Sequence, residues 1–287
     1  MRLINDDRHI LIVGLGLMGG SYAMALKKLG FDVSAITKDQ KSVDYAVENG
    51  IINRGYDYVN TEEINKADIV IFALYPHVFK QWIKDNQQHF KSGAVITDVT
   101  GVKSSVVYEI QDILRSDVEF IAAHPMAGRE VYGVENSTPS MFYGANYIVT
   151  PTEKNTQSAI DLCLELGRLL GFAKVSVLSP EEHDEMIGFV SQLTHCIAVT
   201  LMTCNDSEHL EDYTGDSFRD LTRIARINDE MWSELFVLNK KPLLEQMNMF
   251  MDEFSKLKIY LEDEDIESMR KMMKYSTQRR ALFDKKI

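Results

Sequence analysis

A glycine-rich loop lies between a strand-like run and a helix at the beginning of the chain. His9–Val13 leads directly into the segment GLGLMGGS, residues 14–21. A GxGxxG segment in this context is typical of dinucleotide binding. Gly14 permits the tight turn, Gly16 lets the backbone approach a pyrophosphate, and Gly19 lets helix and strand pack closely. The loop therefore predicts a Rossmann-type fold, with the phosphates at the helix N-terminus.

Strand and helix patterns alternate through the first 150 residues. Amphipathic helices separate the predicted strands; in the helix from Lys103 to Arg115, for example, Val106 and Ile110 lie on one face. This alternation predicts an α/β fold with a doubly wound parallel sheet that is covered on both sides. The predicted strands are His9–Val13, Asp32–Thr37, Ile69–Leu74, Ala94–Asp98, Phe120–Ala123 and Asn146–Thr150.

The pattern changes after Thr150. One further helix and one strand follow, and from Ser179 onward the chain has only helical spacing. Ser179, the proline after it and Glu182 form the signature of a helix N-terminus. We therefore place a domain boundary there. Residues 1–179 are predicted to form the dinucleotide-binding domain and residues 180–287 an all-helical substrate and dimerisation domain.

Composition limits the partners and the compartment. The formal net charge of -12 argues against nucleic acid and anionic membranes, which call for a basic face. The 3 cysteines cannot all pair and lack metal-ligand spacing, so we expect a reducing compartment and no metal site. The N-terminus does not resemble a signal peptide, and polar residues interrupt the apolar tract Ile187–Met202, which favours a buried helix over a membrane span. A cytoplasmic protein is the expectation.

The end of the second predicted strand bears on the choice of cofactor. An acidic residue there would bind the ribose 2′-hydroxyl of NAD, but the chain has Thr37 and Lys38. The next acidic residue, Asp39, comes two positions after Thr37. Thr37 and Lys38 could accept a 2′-phosphate, so NAD and NADP both remain open. The other predicted cofactor contacts are Leu15, Leu17 and Met18 of the glycine loop and Leu74 at the end of the third predicted strand.

A histidine follows the predicted strand Phe120–Ala123. His124 opens the segment HPMAGRE, and the carboxyl end of a parallel strand is where open α/β sheets place their ligands. At that position an imidazole could accept a proton from an alcohol as hydride leaves. His124 is therefore the candidate catalytic base.

Three arginines recur at helical spacing in the second half of the chain. Arg219, Arg223 and Arg226 are spaced i, i+4 and i+7, which predicts one shared helical face. Arginine side chains grip carboxylates bidentately. The spacing alone leaves two interpretations about equally supported: a carboxylate-binding site, or a solvated basic stripe paired with Asp220 and Glu230.

Several segments together resemble those of prephenate dehydrogenases. They are GLGLMGGS (14–21), TDVTGVK (97–103), HPMAGRE (124–130), VSQLTH (190–195) and FRDLTRIA (218–225), followed by Met231-Trp232. The resemblance runs nearly end to end and in order. It implies a Rossmann-type domain joined to a helical domain that forms an intertwined homodimer. The apolar stripes of the last hundred residues, too extensive for one such domain to bury, favour the same homodimer.

The resemblance also implies a reaction and residue roles. The family reaction is oxidative decarboxylation of prephenate to 4-hydroxyphenylpyruvate, with hydride transfer to a nicotinamide cofactor, in tyrosine biosynthesis. By resemblance, His124 binds the ring hydroxyl and takes its proton, Arg223 grips a substrate carboxylate, and His195 contacts the substrate. The residues that match the active-site mouth are Glu130, Arg219 and Trp232.

Three positions depart from the family pattern. Gly101 stands where the family usually has a serine that helps to bind the ring hydroxyl, and Thr100 could supply the catalytic hydroxyl instead. Gln192 stands where some members have a further histidine. Asp216 replaces a glycine of some members, and an extra carboxylate there would favour the amino substrate arogenate. Arogenate dehydrogenase is therefore the alternative enzyme, and a non-catalytic dinucleotide sensor is the alternative from another class.

Overall fold

The computed structural model describes residue 4 and residues 7–283 of the chain. The strands are β1 (His9–Val13), β2 (Asp32–Ile36), β3 (Arg54–Tyr56), β4 (Ile69–Phe72), β5 (Val95–Asp98), β6 (Glu119–Phe120), β7 (Ala122–Met126), β8 (Asn146–Thr150) and β9 (Lys174–Val177). The helices of the first part are α1 (Leu17–Lys28), α2 (Gln40–Glu48), α3 (Thr61–Lys66), α4 (Pro76–Asn86), α5 (Ser104–Ile113) and α6 (Gln157–Leu169). Those that follow are α7 (Pro180–Ile187), α8 (Thr194–Thr203), α9 (Asp216–Thr222), α10 (Asp229–Leu238), α11 (Lys240–Glu262) and α12 (Ile266–Arg280).

The main sheet is parallel throughout and has the strand order β3-β2-β1-β4-β5-β6. The chain order reverses between β1 and β4, which creates the crevice where open α/β sheets bind ligands. Alternate residues of β1 lie in different cores: Ile10 and Ile12 pack on one face of the sheet, and Leu11 and Val13 on the other. Two apolar faces are the reason for the continuous apolar runs in the sequence. The predicted Rossmann-type fold is confirmed.

A second, mixed sheet corrects part of the strand prediction. The predicted strand Phe120–Ala123 divides, because Phe120 pairs with Ile96 in the main sheet whereas Ala123 pairs with Val149 of β8. β7 is antiparallel to β8, and β8 is parallel to β9. The expectation that Asn146–Thr150 belongs to the parallel sheet is therefore wrong. An apolar run predicts a strand but does not determine which neighbour satisfies its backbone groups.

β3 was not predicted. It contributes only three residues at the edge of the main sheet, paired with β2. Its sequence, Arg-Gly-Tyr, contains a charged residue and a glycine rather than the apolar alternation that marks a half-buried strand. A short edge strand of this kind forms because a neighbouring strand offers free backbone groups to pair with, so sequence pattern alone does not predict it.

The helical part begins as predicted. The Ser179 hydroxyl accepts a hydrogen bond from the Glu182 amide (3.2 Å), and the Glu182 carboxylate accepts one from the Ser179 amide (2.9 Å), which together form a capping box. α7 continues through a π-helical turn, Gly188–Leu193, into α8. The two compact units of the structure have a different boundary, since they comprise residues 1–239 and residues 240–287. The domain boundary at Ser179 stays a prediction.

The apolar tract in α7 and α8 is less buried than expected. Among the described residues, only the helix Pro180–Thr203 is long and apolar enough to cross a membrane, a property that many core helices of soluble proteins share. Only 28% of its most apolar window is buried. Met186, Phe189 and Val190 are exposed large apolar side chains. The expectation of a buried helix is therefore wrong for a single chain.

Candidate functional site

The glycine loop has the shape that a dinucleotide requires. Gly14 has φ +98°, and a Cβ built on it would lie 2.4 Å from the Ala73 carbonyl oxygen. A Cβ on Gly19 would lie 1.9 Å from the Gly14 oxygen, so both positions exclude a side chain. No described atom lies within 4 Å of a Cβ built on Gly16, which leaves open space beside the backbone. Gly14 thus has the backbone conformation of a tight turn, Gly19 allows helix and strand to pack closely, and the space beside Gly16 is compatible with the predicted approach of a pyrophosphate.

The N-terminus of α1 also fits an anionic group. None of the described side chains caps this helix, and its first turn contains no acidic residue. Its first amides can therefore bind a pyrophosphate. Of the other predicted cofactor residues, Leu15 is buried, Leu17 and Met18 are partly exposed, and Leu74 lies beside Gly14.

The residues after β2 are those predicted to meet the ribose of the cofactor. The Thr37 amide donates to the Tyr56 carbonyl (3.0 Å), and Lys38 is exposed. The Asp39 carboxylate caps α2 by accepting from the amides of Lys41 (3.3 Å) and Ser42 (3.1 Å). Asp39 therefore already has partners within its own helix.

His124 lies within strand β7, not on a loop after a parallel strand as predicted. It pairs with Ile148 of β8. Its Nδ1 lies 2.8 Å from His183 Nε2, and the rings meet edge to face. Burial, with the nearby His183 and Lys103, holds the pKa of His124 well below its usual value of 6.5. His124 is therefore neutral at physiological pH.

Asp184 continues the chain of contacts from His124 and His183. His183 Nδ1 lies 2.8 Å from Asp184 Oδ1. The carboxylate also accepts from the backbone amides of Lys103 and Ser104, each at 2.8 Å. These bonds connect α7 to the start of α5, so the beginning of the helical part helps to hold His124.

A fully buried ion pair lies behind His124. Lys103 Nζ is 2.7 Å from Asp98 Oδ2 and donates to the Ala123 carbonyl at 2.5 Å, and neither charged side chain is exposed. Asp98 also accepts from the Ala123 amide (3.1 Å). The pair thus holds the residue before His124 through both of its backbone groups. The Thr100 hydroxyl, predicted to be catalytic, donates to Asp98 and lies within this network.

Gly101 lies directly beside His124, the predicted base. A Cβ built on Gly101 would be 4.0 Å from His124 Nε2 and 3.4 Å from the nearest carbon of Leu235. A small side chain at this position would therefore lie between Leu235 and Nε2 of His124.

A second group of predicted residues surrounds His195. Its ring stacks on Trp232 with centroids 3.7 Å apart, and its Nδ1 donates to the Ser191 carbonyl (2.8 Å). Burial lowers the pKa of His195, which is near enough to Glu130 and Arg223 to be affected by both charges. The Arg223 guanidinium donates to the Glu130 carboxylate. These four predicted substrate residues are therefore brought into one neighbourhood.

The predicted arginine face is wrong in its geometry. α9 ends at Thr222, and a 3₁₀ turn, Arg223–Ala225, follows it. Because a 3₁₀ turn has a different periodicity from an α-helix, the three arginines do not share one α-helical face. Arg219 pairs with Asp216 (3.5 Å), whereas Arg223 reaches Glu130 rather than Asp220 or Glu230.

Sequence reasoning missed four buried polar residues of the site. Asp98 and Lys103 were noted only within a matching segment, and His183 and Asp184 were not identified. One signal was present: a His-Asp pair follows directly on the capping box that starts α7. Helical spacing does not show that its first turn faces β7, so the partnership with His124 depends on the tertiary fold.

Comparison with known proteins gives consistent matches. Residues 22–177 match the family model of the prephenate dehydrogenase nucleotide-binding domain, and residues 179–275 match that of the prephenate dehydrogenase dimerization domain. Prephenate dehydrogenase of Bacillus subtilis is 30% identical over 279 residues, 92% of this chain and 73% of that protein. The enzyme of the same name from Lactococcus lactis is 32% identical over 91% of this chain and 73% of its own length. The crystal structure of Aquifex aeolicus prephenate dehydrogenase with hydroxyphenyl propionate and NAD+ has a TM-score of 0.88 and 30% identity, covering 96% of this chain and 98% of that one.

Proposed function

We propose that this chain, which belongs to the prephenate dehydrogenase family, catalyses the oxidative decarboxylation of prephenate to 4-hydroxyphenylpyruvate in tyrosine biosynthesis. The observation that carries the proposal is a neutral histidine, His124, whose Nε2 lies 4.0 Å from the place of a Cβ built on Gly101, within the segment that resembles the family's ring-hydroxyl site. A bound nicotinamide would accept the hydride that the substrate ring loses. The remaining chemistry is proton transfer and charge recognition by side chains of this protein.

His124 supplies the proton transfer. A neutral imidazole can take the proton of the ring hydroxyl while the carbon that bears this hydroxyl loses hydride. Loss of carbon dioxide then makes the ring aromatic, and the ring oxygen regains a proton as a phenol. No net proton is consumed, because the proton taken by His124 equals the one returned. A low histidine pKa keeps the base form available at neutral pH.

The residues around His195 recognise the negative charge of the substrate. The protein has a net charge of -12, so a dianionic substrate gains no long-range attraction and needs a local cation. Arg223 supplies it, since its guanidinium is largely exposed and already holds one carboxylate, that of Glu130. Trp232, stacked on His195, adds an apolar wall beside this cation.

For the cofactor, the residues after β2 support acceptance of both NAD and NADP. Thr37 and Lys38 follow directly on β2, and their hydroxyl and ammonium groups could bind a 2′-phosphate. The Asp39 carboxylate caps α2, so its hydrogen bonds go to that helix. The Aquifex relative bound to NAD+ supports NAD as the second cofactor.

One assay tests the proposed function and its alternatives. Purified protein is incubated with prephenate or arogenate, each with NAD or NADP, and reduced cofactor is followed by absorbance. We expect turnover of prephenate with both cofactors. Turnover of arogenate but not of prephenate would show that arogenate is the substrate. Asp216 would then be the first residue to test. Dinucleotide binding without any turnover would favour the sensor.

We also propose that the protein is a homodimer. The exposed apolar residues Met186, Phe189 and Val190 lie within the stretch that matches the dimerization domain. A second copy of the chain would remove this apolar surface from water. Sedimentation at micromolar concentration should give a mass of two chains, and a monomer would contradict the proposal.

A further inference from the structure

We infer that His183 is a positioning residue that fixes the tautomer of His124, so that Nε2 is the atom that takes the substrate's proton. The inference concerns three residues in a row: His124, His183 and Asp184, joined by contacts of 2.8 Å each. It deepens the proposed function, on which it rests for the identity of the substrate. The direction of each hydrogen bond follows from the groups at the ends of the row.

The Asp184 end accepts hydrogen bonds only. Although burial alone would raise the pKa of Asp184, the hydrogen bond from His183 and those from the amides of Lys103 and Ser104 lower it below its usual value. The side chain is therefore a carboxylate. Since a carboxylate has no proton to donate, His183 must carry its proton on Nδ1.

His183 then acts as an acceptor toward His124. Burial lowers the pKa of His183, so the ring is neutral and has one proton, which Nδ1 carries. Its Nε2 is a lone-pair acceptor, and the 2.8 Å contact requires His124 Nδ1 to be the donor. Neutral His124 therefore has its lone pair on Nε2, beside Gly101.

The opposite arrangement is unfavourable. If His183 donated to His124, a neutral His183 would turn the lone pair of Nδ1 toward the Asp184 carboxylate. Protonating both nitrogens would avoid this repulsion, but it would place a cation in a buried position near Lys103. The charged groups that face the two histidines are Lys103, Asp98 and Asp184. Only the first arrangement keeps both rings neutral near Lys103 and also turns an N–H group toward the Asp184 carboxylate.

The row also helps once His124 has taken a proton. Its Nδ1–H then binds His183 more strongly, and the Asp184 carboxylate at the far end stabilises the positive charge. Without His183, Nδ1 of His124 has no acceptor among the described residues, and the neutral ring is free to place its proton on Nε2. A proton on Nε2 would prevent His124 from acting as the base.

Nitrogen-15 NMR of histidine-labelled protein tests the tautomer directly. The His124 signals are assigned as those missing from the His124→Asn spectrum. In unliganded wild-type protein near pH 7 we expect a protonated Nδ1 and an unprotonated Nε2. This measurement needs no substrate, so it is independent of the proposed reaction. A protonated Nε2 with an unprotonated Nδ1 would overturn the inference even if prephenate is turned over.

Kinetics of two His183 variants test the positioning role. His183→Leu removes the acceptor, and we expect kcat to fall by about 100-fold with KM for prephenate changed less than about twofold. His183→Gln keeps an oxygen that can accept from Nδ1, so kcat should remain within about tenfold of wild type. The matched control is His89→Leu, a histidine in the 3₁₀ turn after α4, which should leave kcat unchanged.

The variant spectra decide between positioning and mere structural support. We expect Nε2 of His124 to gain a proton in His183→Leu and to stay unprotonated in His183→Gln. Equal loss of kcat in both variants with an unchanged His124 tautomer would overturn the positioning role. If neither variant folds, the wild-type spectrum still decides which nitrogen is the base. Failure of wild type to turn over prephenate, by contrast, refutes the proposed function and not the tautomer.

Discussion

The two polar clusters of the candidate site differ in their contact with water. Around His124 the charged side chains of Asp98 and Lys103 are fully buried and bonded to fixed backbone groups. At the mouth, the Arg223 and Glu130 side chains are 65% and 38% exposed. Burial makes each partner in the first cluster hard to replace, whereas water can substitute for a partner in the second. The buried cluster is therefore suited to hold a base in place. In the exposed cluster, Arg223 can exchange the Glu130 carboxylate for a substrate carboxylate.

Replacing the base should have the largest effect. His124→Asn keeps a polar side chain in β7 but removes the proton acceptor, so kcat should fall by on the order of 10²–10⁴. Dinucleotide affinity should be nearly unchanged, since the glycine loop is not altered. Initial rates of cofactor reduction and a dinucleotide titration provide the two measurements. An unaltered kcat would remove His124 from the mechanism.

Breaking the buried ion pair should reduce stability strongly. Lys103→Met leaves the buried Asp98 carboxylate without its cation, which should lower the free energy of unfolding by about 3–5 kcal/mol. Denaturant titration measures the change. Lys154→Met is the matched control, because Lys154 pairs with Asp112 at 2.6 Å on the exposed surface and should contribute less than about 1 kcal/mol. Equal losses would show that burial does not distinguish the two pairs.

Removing the mouth arginine should affect binding rather than stability. Arg223→Ala should raise KM for prephenate at least about tenfold, which corresponds to roughly 1.5–3 kcal/mol for a charged hydrogen bond. Cofactor affinity and the unfolding free energy should change little, because the ion pair with Glu130 is exposed. Arg226→Ala is the control and should behave like wild type. If Arg226 matters and Arg223 does not, the carboxylate site has been assigned to the wrong arginine.

A smaller effect is expected at the ribose end of the cofactor site. Thr37→Asp should shift the preference from NADP toward NAD by about tenfold, roughly 1.4 kcal/mol, because a carboxylate repels the 2′-phosphate and accepts from the 2′-hydroxyl. The ratio of kcat/KM for the two cofactors measures the shift. Complete failure of wild type to use NADP would mean that another group, such as Asp39, recognises the ribose.

The smallest expected effect is the response to pH between about 8 and 6.5. The proposed reaction needs neutral His124, and an ordinary histidine would be about half protonated at pH 6.5. Because burial holds the pKa of His124 well below that value, kcat/KM should stay nearly constant over this range and fall only at more acidic pH. A twofold loss of kcat/KM by pH 6.5 would indicate a histidine with an ordinary pKa, as expected for a side chain as exposed to water as Arg223.

Local sequence patterns predicted much of the fold. The strands β1, β2, β4 and β5, the glycine loop and the capping box at Ser179 depend on neighbouring residues, and each lies close to its predicted place. The glycine motif assigned a tight turn to Gly14 and close packing to Gly19, and in the structure a side chain at either position would collide with nearby backbone. His124 and Arg223 were identified as candidates from residue type, position in the chain and resemblance.

Tertiary structure alone decided which residues became partners. β7 takes its hydrogen-bond partner from β8, which follows it in the chain by about twenty residues, and His124 therefore lies inside a strand. His183 and Asp184 reach His124 because α7 packs against the start of α5, and Glu130 reaches Arg223 across 93 positions of sequence. Periodicity records which face of an element is apolar, but not which distant polar group that element will meet. The residue types of the site were thus determined locally, whereas their hydrogen bonds and protonation states depended on contacts formed only in the folded chain.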